Sequence, residues 1–184
     1  MPSKTTQEII QGCQRKDPLC QKALVVQYSP MLMAVSYRYM KDRVTAKDVL
    51  QEALIRILKA IPQYRQSGSF EGWMKKIVIN TALSYFDKSC FKKETSREPA
   101  LLPQSTVAPE VYQQLAVEEL MHIINQLPEH YRMVFNLVAI EGYSHREVAQ
   151  LLNIQESTSR SHLARARKQL LQLLNCQGQK KIRI

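Results

Sequence analysis

The chain has 184 residues, 45% of them hydrophobic, with only five glycines and apolar positions that recur at helical rather than alternating spacing, which argues against a sheet-rich fold. Lys plus Arg outnumber Asp plus Glu by 26 to 16, a formal charge of +10 that favours a polyanionic partner, nucleic acid ahead of an anionic membrane. Cys13, Cys20, Cys90 and Cys176 form no Cys-x-x-Cys pair, no His stands at zinc-ligand spacing, and no stretch reaches the roughly 20 apolar residues of a membrane span, so no metal, no cofactor and no membrane insertion are expected.

The first predicted elements are a short helix and then a longer one over about Leu19–Met40. Next, Val49, Leu50, Ala53, Leu54, Ile57, Leu58 and Ile61 fall on one broad helical face; Thr45 with Asp48 three residues later marks its start, and Pro62 ends it. A further helix begins near Ser69, runs through Trp73, Ile77 and Ala82, and fades around Ser89. Pro99, Pro103 and Pro109, set among Ser and Thr, cannot sustain a helix and read as a linker. The expected organisation is therefore all-α: a helical domain at 1–93, a flexible linker at 94–111, a second small helical domain at 112–176 and a basic tail at 177–184.

Charge follows the same division. Between Pro99 and Asn125 the only ionic side chains are Glu110, Glu118 and Glu119, whereas Ser144–Ile184 carries eight Lys and Arg against Glu147 and Glu156. An acidic connector between two basic lobes suits a protein that lays each lobe on DNA.

The most specific signal lies in GYSHREVAQLLNIQESTSRSHLARARKQLLQLL, residues 142–174. Ser144 and Glu147 make a capping box that opens a short helix with Val148, Ala149, Leu151 and Leu152 inside; Asn153 and Ile154 make a tight turn; a second helix follows from Gln155 or Ser157 to Leu174. On that helix Ser159, Leu163, Ala166 and Leu170 face the core, which leaves Arg160, Ser161, Ala164, Arg165 and Lys168 opposite. A small residue such as Ala164 lets a helix sit deep in a major groove, and an arginine can donate two hydrogen bonds to a guanine edge. His162, Arg167 and Lys168 are placed to grip phosphates. The pattern is a helix-turn-helix.

Leu127 to Leu170, with its Leu-Pro opening, Gly-Tyr-Ser and Arg-Ala-Arg, resembles region 4 of extracytoplasmic-function RNA polymerase sigma factors. The resemblance implies that Arg160, Ser161, Ala164 and Arg165 face bases of the minus-thirty-five promoter element, with Thr158, His162 and Arg167 on the backbone. Asp48-Val49-Leu50-Gln51-Glu52 resembles the Asp-x-x-Gln-Glu signature of region 2.2, which implies that Asp48, Gln51 and Glu52 dock on the beta-prime subunit of core polymerase. Tyr64–Met74 followed by Ile77–Ala82 resembles regions 2.3 and 2.4, which melt and read the minus-ten element. There Ser67, Gly68 and Ser69 would pocket a flipped base, and Asn80, Ser84 and Lys88 would line the adjoining duplex. Tyr64 and Phe70 would supply aromatic faces, Trp73 belongs to the core rather than to base stacking, and Lys75, Lys76, Lys88, Lys92 and Lys93 would supply charge. Two departures from the family pattern stand out: Ser157 where Gly is frequent, and Ser159 where a β-branched apolar residue is usual.

The resemblance spans roughly Ala23 to Leu174 and implies bacterial core RNA polymerase, promoter DNA and, commonly in the family, an anti-sigma factor as partners; a cytoplasmic protein is expected because the sequence shows no membrane span and MPSKTTQEIIQG lacks the apolar centre of a signal peptide. Two other readings stay open. A stand-alone helix-turn-helix regulator would bind duplex DNA without polymerase, although it has no use for Asp48–Glu52 or the Phe70–Asn80 stretch. An enzyme is the weakest reading, because His122, His130, His145 and His162 have no carboxylate or Cys at catalytic spacing; no catalytic residue is expected.

Overall fold

The computed structural model of the chain describes residues 5–40, 42–65, 68–86 and 117–181, and among them the only regular structure is helical. The chain divides into two compact units, Met1–Phe86 and Asp87–Ile184. The proposed linker at 94–111 lies outside the described residues.

In the first unit, α1 (Thr6–Gln14) is opened by a capping box between Thr5 and Glu8, and α2 (Pro18–Tyr39) by Asp17, whose carboxylate accepts from the Leu19 N–H. α3 (Arg43–Ala60) does not start at Thr45. Its N-cap is Asp42, whose carboxylate accepts from both the backbone N–H and the hydroxyl of Thr45 at 2.8 Å each. The expected Thr45–Asp48 pair therefore does no capping: Thr45 is a donor inside the first turn, one turn before Asp48. A 3-10 turn, Ile61–Gln63, carries Pro62 and closes α3 as expected. α4 (Phe70–Tyr85) is capped by Ser69 and ends at Phe86.

α2 packs against α1, α3 and α4, and α3 against α4. Ile9, Leu24, Leu32, Val49, Ile57, Met74 and Val78 fill the centre, all fully buried or nearly so. Each such side chain contributes about 1.5–3 kcal/mol by leaving water. That packing fixes which faces of α3 and α4 remain outside.

The second unit holds α5 (Val117–Asn125), α6 (Glu129–Phe135), α7 (His145–Leu152) and α8 (Glu156–Lys181). Pro128 stands at the α6 N-cap, and α6 runs directly into a π-helical turn, Asn136–Ile140, that the sequence pattern did not reveal. Gly142, at φ +78, takes the chain out of that turn in a conformation that favours glycine. α5, α6 and α7 all pack on α8, enclosing Ile123, Met133, Leu137, Val148, Leu163 and Leu170. The α8 backbone stays helical through Lys181, past residue 176 where the sequence suggested the domain's end.

Candidate nucleic-acid and partner interfaces

α7, the turn and α8 form the helix-turn-helix that the sequence indicates. Ser144 accepts from the Glu147 N–H, while the Glu147 carboxylate accepts from the Ser144 N–H at 2.8 Å. Asn153 takes the left-handed conformation at φ 56 and ends α7. Ser159, Leu163, Ala166 and Leu170 are buried on α8 as expected. Arg160, Arg167 and Lys168 are exposed, and Thr158, Ser161, Ala164 and Arg165 are half-buried. Arg160 pairs with Glu156 one turn earlier, and Ser161 donates to the Thr158 carbonyl at 3.0 Å. One guanidinium N–H of Arg165 reaches the Tyr131 hydroxyl at 3.4 Å.

His162 departs from expectation. It is 2% exposed and packs edge-on against Tyr131, with the His130 ring 5.2 Å away. Because three helices rather than one cover α8, its buried arc is wide enough to take in His162, which packs in the core of the second unit where the sequence suggested an exposed position.

Ser159 shows how one departure from the family pattern is accommodated. Its fully buried hydroxyl meets Nδ1 of His145 at 2.9 Å, so a polar contact joins the start of α7 to α8 where an apolar contact would otherwise stand. The half-buried position, and after it the charges of Arg160 and Arg167, hold the His145 pKa below its ordinary value; Glu156 opposes them.

In the first unit, Asp48 and Gln51 are exposed on α3 and Glu52 is partly so, all turned from the Val49–Ala53–Ile57 core stripe. Glu52 is held from two sides: Arg56 on its own helix pairs with Oε1, and the Tyr85 hydroxyl at the end of α4 donates to Oε2 at 2.9 Å. The Tyr85 bond, then Arg56, keep the Glu52 carboxyl below its usual pKa, and the same bond raises Tyr85. On α4, Lys76, Asn80 and Ser84 recur at four-residue steps and all are exposed, forming one polar stripe.

Tyr64 and Phe70 are not open stacking faces. They are 8% and 6% exposed, and with half-buried Trp73 they form a cluster whose ring centroids lie 4.8–5.6 Å apart. The Tyr64 hydroxyl donates to the Gly68 carbonyl at 3.0 Å, so the cluster is tied to Gly68 just ahead of α4. Gly68 sits at φ +97, and Ser69 is exposed at the α4 N-cap. Ser67, Lys88, Lys92 and Lys93 lie outside the described residues.

Comparison with known proteins agrees with both units in chain order. The profile for Sigma-70 region 2 matches residues 24–89, and that for Sigma-70, region 4, matches residues 117–170. The chain is 28% identical to the ECF RNA polymerase sigma-E factor of Escherichia coli K12, over 89% of this chain and 91% of that one. The chain belongs to the extracytoplasmic-function sigma factors. It is likewise 27% identical to the RNA polymerase sigma-H factor of Pseudomonas aeruginosa, over 88% of this chain and 89% of its relative. Among solved structures, the sigma factor RpoE of Bartonella quintana in complex with the anti-sigma factor NepR shares the fold at a TM-score of 0.52, with 19% identity, over 84% of this chain and 96% of that one. CnrH in complex with the cytosolic domain of CnrY gives a TM-score of 0.50 at 17% identity, over 92% of this chain and 97% of that one.

As a sigma factor, the protein directs RNA polymerase to specific promoters and initiates transcription there as a non-catalytic subunit. The helix-turn-helix is thus one half of a promoter reader and not a stand-alone regulator. The sequence pointed to Asp48, Gln51 and Glu52 but missed Tyr85, which lies 33 residues from the carboxylate it touches. An aromatic residue at the end of a helix carries no sequence signal for such a contact.

Proposed function

We propose that this sigma factor docks on the core polymerase through Asp48, Gln51 and Glu52, reads the minus-ten element with its first unit and reads the minus-thirty-five element with α8. The observation that carries the docking assignment is the exposure of Asp48 on α3 while Asp42 does the capping, so the signature carboxylates face outward with no structural task at the helix start. Two carboxylates and an amide on one face suit a basic partner surface. The loop Ser67–Ser69 receives the flipped base, and Lys76, Asn80, Ser84 and Lys88 follow the duplex. On α8, Arg160, Ser161, Ala164 and Arg165 meet bases, with Thr158 and Arg167 on the backbone.

The sigma factor acts in the cytoplasm, where its polymerase is; no helix among the described residues is long and apolar enough to cross a membrane. An anti-sigma factor is a further partner. The Bartonella quintana RpoE structure is a complex with an anti-sigma factor, and α2 of this chain exposes Leu19, Val26 and Tyr37 at helical spacing. An apolar strip of that kind suits a partner helix.

The test is charge reversal. Asp48→Lys with Glu52→Lys is expected to abolish association with core polymerase in a pull-down or anisotropy titration while leaving the helical content unchanged. Association at the parent level would remove this face from the docking site.

A further inference from the structure

We infer that Tyr85 is a positioning residue of the polymerase-docking face, acting through Glu52. The inference rests on the docking assignment above and adds to it a residue from a different helix. Glu52 sits mid-way along α3, and its carboxylate is bound at both oxygens: Arg56 holds Oε1 along the helix, and the Tyr85 hydroxyl draws Oε2 toward α4. An exposed pair one turn apart on a helix is weak and gives poor orientation alone. The Tyr85 bond is different in kind, because α3 and α4 are packed together and the ring is therefore carried on a fixed frame. Two donors from two directions leave the carboxylate one orientation.

A glutamate so held loses less side-chain freedom on meeting its partner than a solvated one, and immobilising a flexible side chain ordinarily weakens association by roughly two- to tenfold. Each carboxylate oxygen accepts more than one hydrogen bond, so Glu52 keeps acceptor capacity for a partner cation while bound to Arg56 and Tyr85. The Tyr85 ring is itself 47% exposed, as is Ile55 one turn beyond Glu52 on α3. The docking face then sets apolar and aromatic surface beside its charged groups, and exposed aromatic side chains are frequent anchors of protein interfaces.

The experiment is a double-mutant cycle on the full chain, read as affinity for core polymerase. Tyr85→Phe removes the hydroxyl alone and is expected to weaken association roughly two- to tenfold at an unchanged unfolding temperature; Tyr85→Ala removes the ring too and weakens it further. In a Glu52→Ala background, Tyr85→Phe is expected to change nothing, because the hydroxyl has lost the group through which it acts. The acid limb of binding should also move to higher pH in Tyr85→Phe. Full affinity in Tyr85→Phe, or an equal loss with and without Glu52, overturns the inference while leaving the docking face standing. Core binding retained after charge reversal of Asp48 and Glu52 overturns the docking face itself.

Discussion

The contact between His145 and Ser159 puts a titratable group inside the helix-turn-helix. Burial and the Arg160 and Arg167 charges depress the folded-state pKa of His145, with Glu156 acting the other way. The unfolded chain therefore binds a proton at a higher pH than the folded one does, and stability rises with pH across that interval. The contribution of the neutral ring is complete above the ordinary histidine value of about 6.5 and is lost as pH falls through the lowered folded value. Amide hydrogen exchange in α7 and α8 of the full chain, corrected for intrinsic chemistry, should speed up on acidification over that window. His145→Asn keeps a polar partner for the Ser159 hydroxyl without titrating, and its exchange should lose the excess acid sensitivity. Matching profiles for the two proteins would show that the ring carries no such linkage. Ser159 also shows what a sequence can signal at this scale: a polar residue in a row of core positions announces a buried partner, though not that the partner is His145, 14 residues earlier.

At the level of helices, the contact of α1 with α2 depends on a missing side chain. A Cβ added to Gly12 would stand 2.1 Å from Sγ and 2.5 Å from Cβ of the buried Cys20. Gly12→Ala should therefore lower the stability of the first unit by about 1–3 kcal/mol, the usual scale of overpacking, measured by denaturant unfolding. Adding Cys20→Ala should recover only part, because the Cys20 Cβ is itself too close; full recovery would locate the strain in the thiol alone. Helix existence was legible in the sequence because apolar residues at 3.6-residue spacing and the caps at Ser69, Ser144 and Asn153 agree with each other. The start of α3 was misplaced because Thr45-x-x-Asp48 imitates a capping box, whereas Asp42 offers a carboxylate that binds both groups of Thr45. The faces of α8 were legible except at His162, since spacing tells which residues share a side but not how many neighbours cover it. Tyr64 and Phe70 were misjudged for the same reason: aromatic character suggested open faces, and packing instead buries both rings and ties Tyr64 to Gly68.

For the whole molecule, a charge of +10 makes promoter affinity steeply dependent on salt, and sequence discrimination must be separated from that general attraction. Arg160 and Arg167 both lie exposed on α8, seven residues and so about two turns apart along the same side of the helix. Arg160 is held by Glu156 in the free protein, an exposed one-turn pair that contributes only about 0.3–0.5 kcal/mol. A bidentate contact with a guanine is worth about 1–3 kcal/mol of discrimination, so docking on DNA readily displaces Glu156. For holoenzyme assembled with Arg160→Ala, the expected outcome is a loss of that size on the preferred minus-thirty-five sequence and relaxed preference at one base pair. Arg167→Ala should instead weaken binding to every sequence alike and lower the salt slope by about one. Promoter libraries titrated at several salt concentrations distinguish the two. A uniform loss for Arg160→Ala would make it a phosphate contact, and altered base preference for Arg167→Ala would extend the reading face along α8 toward its C-terminal half.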